Sequence, residues 1–273
     1  MRALLNAWFT RTLLWPSPAS SYGEHECAYL DDPNGTAYFF SDLRSRHAAE
    51  SRRDALVVLY AHGNGYDCGS AYRLAESREL VEAGVSFLCY DYPGYGNTRA
   101  RAPSERGCHE SALAAYEFLI SADFRPCCIL LYGCSFGCAP TLALAAQLAA
   151  EGTRVGALLL QSPFRSVYAL LPQWIRWPLA WLLAIDARWL SNEASMQRLA
   201  RASAPMCPIV ILHGTRDTLI PYAHALALRA LGGDGVLVWP APGLGHNNLK
   251  YSRDWSQCLQ RVCETMRSEL KNF

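Results

Sequence analysis

The chain has almost no net charge, with 25 basic side chains against 24 acidic ones and a formal value of +1. Nucleic-acid binding leaves a basic stripe or patch, and none is present. The first 22 residues contain no acid, and Arg11 interrupts their apolar run. That run is too short for a secretory core or a membrane-spanning helix of ~20 residues. Residue 2 is Arg, which excludes N-myristoylation. Zinc needs close pairs of ligands, and the pairs Cys134/Cys138 and Cys258/Cys263 have no partner pairs at suitable spacing. No metal and no cofactor are expected. Internal repeats and low-complexity tracts are absent too.

What the chain does have is cysteine, eleven residues, an odd number. Cys127 and Cys128 are adjacent inside an apolar run, and Cys89 lies near the end of another. Buried strand cysteines behave as small hydrophobes, so they point to a reducing, intracellular setting rather than a disulfide framework. Half of the 273 residues are apolar, enough for one large domain over residues 23–273. Residues 1–22 form a separate amphipathic segment with Leu4, Leu5, Trp8, Phe9, Leu13, Leu14 and Trp15. As a helix it either lies in a membrane interface, a peripheral contact, or packs on the domain; a mitochondrial presequence has a similar composition. A monomer is expected.

Short apolar runs recur at residues 55–61 (ALVVLYA), 85–90, 127–132, 155–160, 208–213 and 236–239. Each is apolar without alternation, as strands buried on both faces of a parallel sheet should be. Helical stretches separate them: 71–83 before Gly84, one after Pro103-Ser104, 136–151 before Gly152, 221–231 before Gly232, and one from about Tyr251. Alternation of this kind means a doubly wound α/β sheet. Upstream, Asn34-Gly35 between two strand-like runs predicts an antiparallel hairpin. The alternation breaks at about 164–205, an insertion holding Pro172, Trp174, Trp177, Pro178, Trp181 and Trp189. This reads as a cap, with Trp177 and Trp181 as candidate substrate-binding residues.

Gly133-Cys134-Ser135-Phe136-Gly137 is a G-x-S-x-G directly between a strand and a helix, the placement a nucleophile elbow requires. A serine hydroxyl attacks only when a base takes its proton and a carboxylate orients that base. Asp217 follows the run 208–213 and His246 follows 236–239, so both fall at the carboxyl edge of the sheet with Ser135. The oxyanion then needs two donors. The N–H of Phe136 is one, and Asn64 in His62-Gly63-Asn64-Gly65 is the other, with Gly65 as its alternative. The turn Asp91–Gly96 is expected to wall the pocket, with Tyr95 touching substrate.

HGNG, DYPGYG, PSE at 103–105, LYGCSFG, SPF at 162–164, HGTRD and GLGHNN occur in this order. The series resembles the ABHD-type serine hydrolases, most of all their palmitoyl-protein thioesterase branch. The resemblance implies the α/β-hydrolase fold with an antiparallel N-terminal hairpin and a helical cap. It also implies acylated proteins or lipid-like small molecules as substrates. Met1–Ser21 lacks the cysteine cluster usual in that branch, and the cap is richer in tryptophan. Other readings are a carboxylesterase or lysophospholipase, a serine peptidase, and a non-catalytic binding protein on the same scaffold.

Overall fold

In the computed structural model, eight strands make one sheet in the order β1-β2-β4-β3-β5-β6-β7-β8. The structure describes residues 19–44, 54–100, 102–171, 178, 189–202 and 207–271. The strands are β1 (Ala28–Tyr29), β2 (Ala37–Ser41), β3 (Val57–Ala61), β4 (Ser86–Tyr90), β5 (Ile129–Cys134), β6 (Ala157–Gln161), β7 (Ile209–Gly214) and β8 (Val236–Ala241). β1, β2 and β4 pair antiparallel, and β4-β3-β5-β6-β7-β8 are parallel. The hairpin turns at Asp32–Gly35, where Gly35 N–H donates to Asp32 O (3.0 Å) and Gly35 has φ 54°.

The central strands β3, β4, β6 and β7 are buried at every position, which is why their sequences show no polar alternation. β8 is an edge strand and leaves Leu237 54% exposed. The fifth strand begins at Ile129, two residues later than its apolar run, because Pro126 opens a 3₁₀ turn over Pro126–Cys128. Proline has no N–H to give a strand and a φ suited to the first helical position.

Helices cover both faces. α1 (Cys68–Tyr72), α2 (Arg78–Ala83) and α8 (Arg253–Leu270) pack on one side; α3 (Glu105–Ser121), α4 (Cys138–Ala150), α6 (Asn192–Ala200) and α7 (Ala223–Gly232) pack on the other, and α5 (Val167–Leu170) is a single turn after β6. The helix expected over 71–83 is broken. Asp67 caps its start at Cys68, and Ser77 is extended (ψ 141°), its carbonyl accepting from Leu80 and Val81 to begin a second helix. In α8, Trp255, Cys258, Leu259, Val262, Cys263 and Met266 recur at the 3–4 spacing of one helix face and are buried. Each large apolar side chain buried in this way contributes roughly 1.5–3 kcal/mol.

All eleven cysteines fall among the described residues and none forms a disulfide. No helix among the described residues is long and apolar enough to cross a membrane. Between β6 and β7, the ends of the insertion are pinned: Asn192 Nδ2 donates to Phe164 O (2.7 Å) and Leu190 N to Glu105 Oε1 (3.0 Å). Trp189 packs on the core. Trp174, Trp177 and Trp181 lie outside the described residues, as does the N-terminal segment up to residue 18.

Candidate active site

β5 ends in a turn so sharp that Ser135 has φ 51°, a left-handed conformation rare for a residue with a side chain. Only glycine fits on either side. A Cβ at Gly133 would come within 2.7 Å of Cys138 Cα, Gly137 O and Thr141 Oγ1, and one at Gly137 would run into the Ala61 carbonyl of β3. The pair of glycines therefore lets the turn press against the end of β3, with Ser135 Oγ raised above the sheet.

The ends of β7 and β8 bring the other two side chains to it. His246 Nε2 lies 3.0 Å from Ser135 Oγ, and His246 Nδ1 lies 2.7 Å from Asp217 Oδ2. The second oxygen of Asp217 accepts the backbone N–H groups of Leu219 (3.0 Å) and Ile220 (2.8 Å). An ionised carboxylate can only accept, so Nδ1 carries the imidazole proton and Nε2 is left to accept from the serine. Burial pushes the Asp217 carboxyl up, but hydrogen bonds from His213, His246 and the Ile220 N–H outweigh it and hold the group well below the usual carboxylate range. The two loops are stitched by backbone: Thr215 N donates to Ala241 O (3.0 Å) and Arg216 N to Leu244 O (2.9 Å).

The loop after β3 lies alongside. A Cβ on Gly63 would sit 3.6 Å from Ser135 Cβ, so the backbone of this loop passes close to Ser135. Buried polar side chains hold it. Tyr92 Oη donates to His62 O (2.8 Å), Tyr95 Oη donates to Asn64 Oδ1, and His62 Nε2 lies 3.1 Å from Asp91 Oδ1. Asp91, fully buried, also accepts from Cys68 N (2.7 Å) and from Tyr22 Oη. Burial and the neighbouring Asp91 push the Tyr22 phenol far above its ordinary pKa, so it stays a donor. Phe136 follows Ser135 at the start of the next turn, its ring edge-on to Tyr92 at 5.2 Å.

A cavity of about 170 Å³ opens at Ser135, bounded by Gly63, Asn64, Tyr66, Cys134, Gln161, Leu219, His246, Asn247 and Lys250 among others. The structure thus gathers Ser135, His246, Asp217 and Asn64 at one place, with Phe136 beside them. Tyr95 is a correction: it is fully buried, bounds no part of the cavity, and buttresses Asn64 from behind. The turn Asp91–Gly96 as a whole supports the loop rather than walling the pocket, because its tyrosines stack inward on His62 and Phe136. Lys250 and Gln161 had no role in the sequence reading. The available signals were a cation four residues past His246 and one polar residue ending the run ALLLQ. Among the described residues no group of three or more His, Cys, Asp or Glu side chains could hold a metal.

The model of the alpha/beta hydrolase family matches residues 58–208, more than half of the chain. The chain belongs to the alpha/beta hydrolase family. The matched span holds Asn64 and Ser135 and stops before Asp217 and His246, whose juxtaposition is a matter of geometry. Among curated proteins, the chain is 31% identical over 178 residues to the lysophosphatidylserine lipase ABHD12 of Danio rerio, covering 61% of this chain and 44% of that one. It is 34% identical over 196 residues to an uncharacterised protein of Mycobacterium tuberculosis, covering 70% and 63%. The alpha/beta hydrolase domain-containing protein 17C of Mus musculus is 28% identical over 220 residues, covering 79% and 61%. The chain thus spans less than two thirds of the length of these relatives. Among solved structures, an esterase of Pyrococcus furiosus superposes with a TM-score of 0.64 at 13% identity, covering 93% of this chain and 96% of its own. Est1E of Butyrivibrio proteoclasticus with bound ferulic acid gives 0.60 at 17%, covering 89% and 98%. At such identities these two share the hydrolase fold.

Proposed function

We propose that this hydrolase is a serine enzyme that cleaves acyl esters or thioesters through an acyl-enzyme on Ser135. The observation that carries the reading is the unbroken line Asp217 Oδ2–His246 Nδ1 (2.7 Å) and His246 Nε2–Ser135 Oγ (3.0 Å) at a left-handed serine. Ser135 Oγ attacks the acyl carbon while its proton passes to His246 Nε2, and Asp217 steadies the imidazolium. The negative charge that forms on the acyl oxygen is met by the N–H groups of Phe136 and Asn64, each such donor typically worth about 3 kcal/mol. His246 then gives its proton to the departing oxygen or sulfur. A water, deprotonated by His246, attacks the acyl-enzyme and frees Ser135.

Long-chain acyl groups, S-palmitoyl proteins first among them, are the proposed substrates. The ordered motifs support this, together with the similarity to a relative named a lysophosphatidylserine lipase. The cavity of about 170 Å³ is smaller than the ~300–1,000 Å³ usual for ligand pockets. A long acyl chain therefore needs further room beyond these walls. Ser135→Ala should abolish labelling by a fluorophosphonate probe and lower turnover of acyl esters by several orders of magnitude with the fold intact. Labelling that survives the substitution places the nucleophile elsewhere. Acyl thioesters and oxygen esters of matched chain length, assayed side by side, decide the leaving atom; a kcat/KM favouring the ester at every chain length would refute the thioesterase reading.

A further inference from the structure

Two donors, the Gln161 amide and the Lys250 ammonium, bound the cavity. Trp255 Nε1, which can only donate, donates to Tyr132 Oη (2.9 Å), and Tyr132 gives its own proton to Gln161 Oε1 (2.5 Å). That relay has a fixed direction. It engages the amide oxygen of Gln161, a cavity-lining side chain that is 3% exposed, and leaves the NH₂ free of that relay as a donor.

Lys250 bounds the same cavity and is half-buried. Arginines elsewhere find carboxylates, as in Arg154–Glu269 and Arg165–Glu193. Among the described residues the Lys250 ammonium has no carboxylate partner; it lies 5.0 Å from the Tyr251 ring, and the titratable groups it senses are Cys134, Tyr66 and Cys89. Burial pushes its pKa below that of an ordinary lysine. A partly desolvated cation without a counter-charge is unfavourable, and a bound anion would relieve it.

We propose that Lys250 and Gln161 form a subsite for a phosphate or carboxylate carried by the leaving group of the substrate, a subsite that presupposes Ser135 as the nucleophile proposed above. The side follows from the chain. His246 delivers the proton to the departing atom, and Asn247 and Lys250 follow it on the same loop and bound the same cavity. An ester whose alcohol bears an anion a few bonds from the scissile oxygen would place its charge against Lys250 and its acyl group away from it.

Lys250 and Lys271 are the only two lysines of the chain, which makes a direct test simple. Reductive methylation with ¹³C-formaldehyde keeps the charges of the amines it labels, both lysines and any free α-amine, and Lys250→Met and Lys271→Met assign the two lysine signals. In Ser135→Ala protein, glycerol 3-phosphate or glycerate should shift the Lys250 methyl resonance and leave that of Lys271 in place, while glycerol shifts neither. Comparing the two acids tells phosphate from carboxylate. If neither acid moves the Lys250 signal, or both lysines move together, the subsite is refuted, whatever the fluorophosphonate result at Ser135.

Kinetics give a second reading. Between a monoacylglycerol 3-phosphate and the monoacylglycerol with the same acyl chain, Lys250→Met should lower the phosphate-to-neutral ratio of kcat/KM about tenfold, through KM, equivalent to ~1.4 kcal/mol. Lys250→Arg should restore most of the ratio, and Gln161→Leu should lower it less. An unchanged ratio in Lys250→Met overturns the proposal. So does a matching loss on an ester with its anion on the acyl side, p-nitrophenyl hydrogen glutarate compared with p-nitrophenyl valerate.

Discussion

The two loop systems around Ser135 are fastened in different ways. The loops bearing Asp217 and His246 are joined by backbone hydrogen bonds between residues 214–217 and 241–245. The loop bearing Asn64 instead hangs on side chains: Asp91, Tyr92 and Tyr95 from behind, and Tyr22 through Asp91. Backbone fastening survives the loss of a side chain, whereas a buried carboxylate with several partners does not. Substitutions in the first system should therefore strike rate more than stability, and those in the second should strike both.

The largest effect expected in this contrast is that of Asp217→Asn. Its oxygen can still accept from Leu219 and Ile220, but its NH₂ would face His246 Nδ1 and force the proton onto Nε2, where it can no longer accept from Ser135. By analogy with other triads, kcat should fall on the order of ten-thousandfold. A fall of less than about tenfold would mean another carboxylate serves. Stability follows a different course. Because the folded pKa of Asp217 is depressed, its contribution is complete above the unfolded value near ~3.9 and is lost as pH drops through the folded value. The stability gap between wild type and Asp217→Asn should accordingly be flat through neutral pH and narrow below about pH 4. Urea titrations across that range would show it; a gap that widens in acid contradicts the depressed pKa.

Asp91→Ala tests the other system. It strands the Tyr22 hydroxyl and the Cys68 N–H in the interior, at about 1–3 kcal/mol for each unsatisfied group, so a loss of roughly 3 kcal/mol is expected. Turnover should drop by a much smaller factor than in Asp217→Asn, since the contacts among Ser135, His246 and Asp217 are untouched. If Asp91→Ala is as stable as wild type in denaturant, the loop is not held by this carboxylate.

Much of this was readable in the chain. Buried parallel strands leave short apolar runs, and the elbow needs glycine at both Gly133 and Gly137 for steric reasons that the G-x-S-x-G pattern records. That Asp217 and His246 lie near Ser135 could be foreseen because each follows a strand and so falls at the same edge. Less could be seen where the deciding fact is the direction of a side chain. Tyr95 stands in a glycine-rich turn, and nothing in DYPGYG tells whether its ring faces a ligand or a neighbouring loop. Ser77 reads as an ordinary helix residue, yet its carbonyl starts a new helix. Nothing in the sequence marks Lys250, which the fold shows half-buried with no carboxylate beside it among the described residues.

The finest test is Tyr95→Phe, which deletes one hydroxyl and keeps the ring. That ring stays packed on His62, Tyr92 and Phe136, so the melting temperature should fall only slightly. What is lost is the hydrogen bond from Tyr95 Oη to Asn64 Oδ1, worth about 0.5–1.5 kcal/mol. If the Asn64 N–H meets the oxyanion, the bond matters most in the transition state, when the loop must hold its donor in place. Its loss then appears in kcat as a fall of about two- to tenfold, with KM unchanged. A loss of stability without a change in kcat would mean that the hydroxyl only anchors the loop and that the second oxyanion donor is Gly65 instead. A combined measurement of kcat on a short acyl ester and of melting temperature separates the two outcomes.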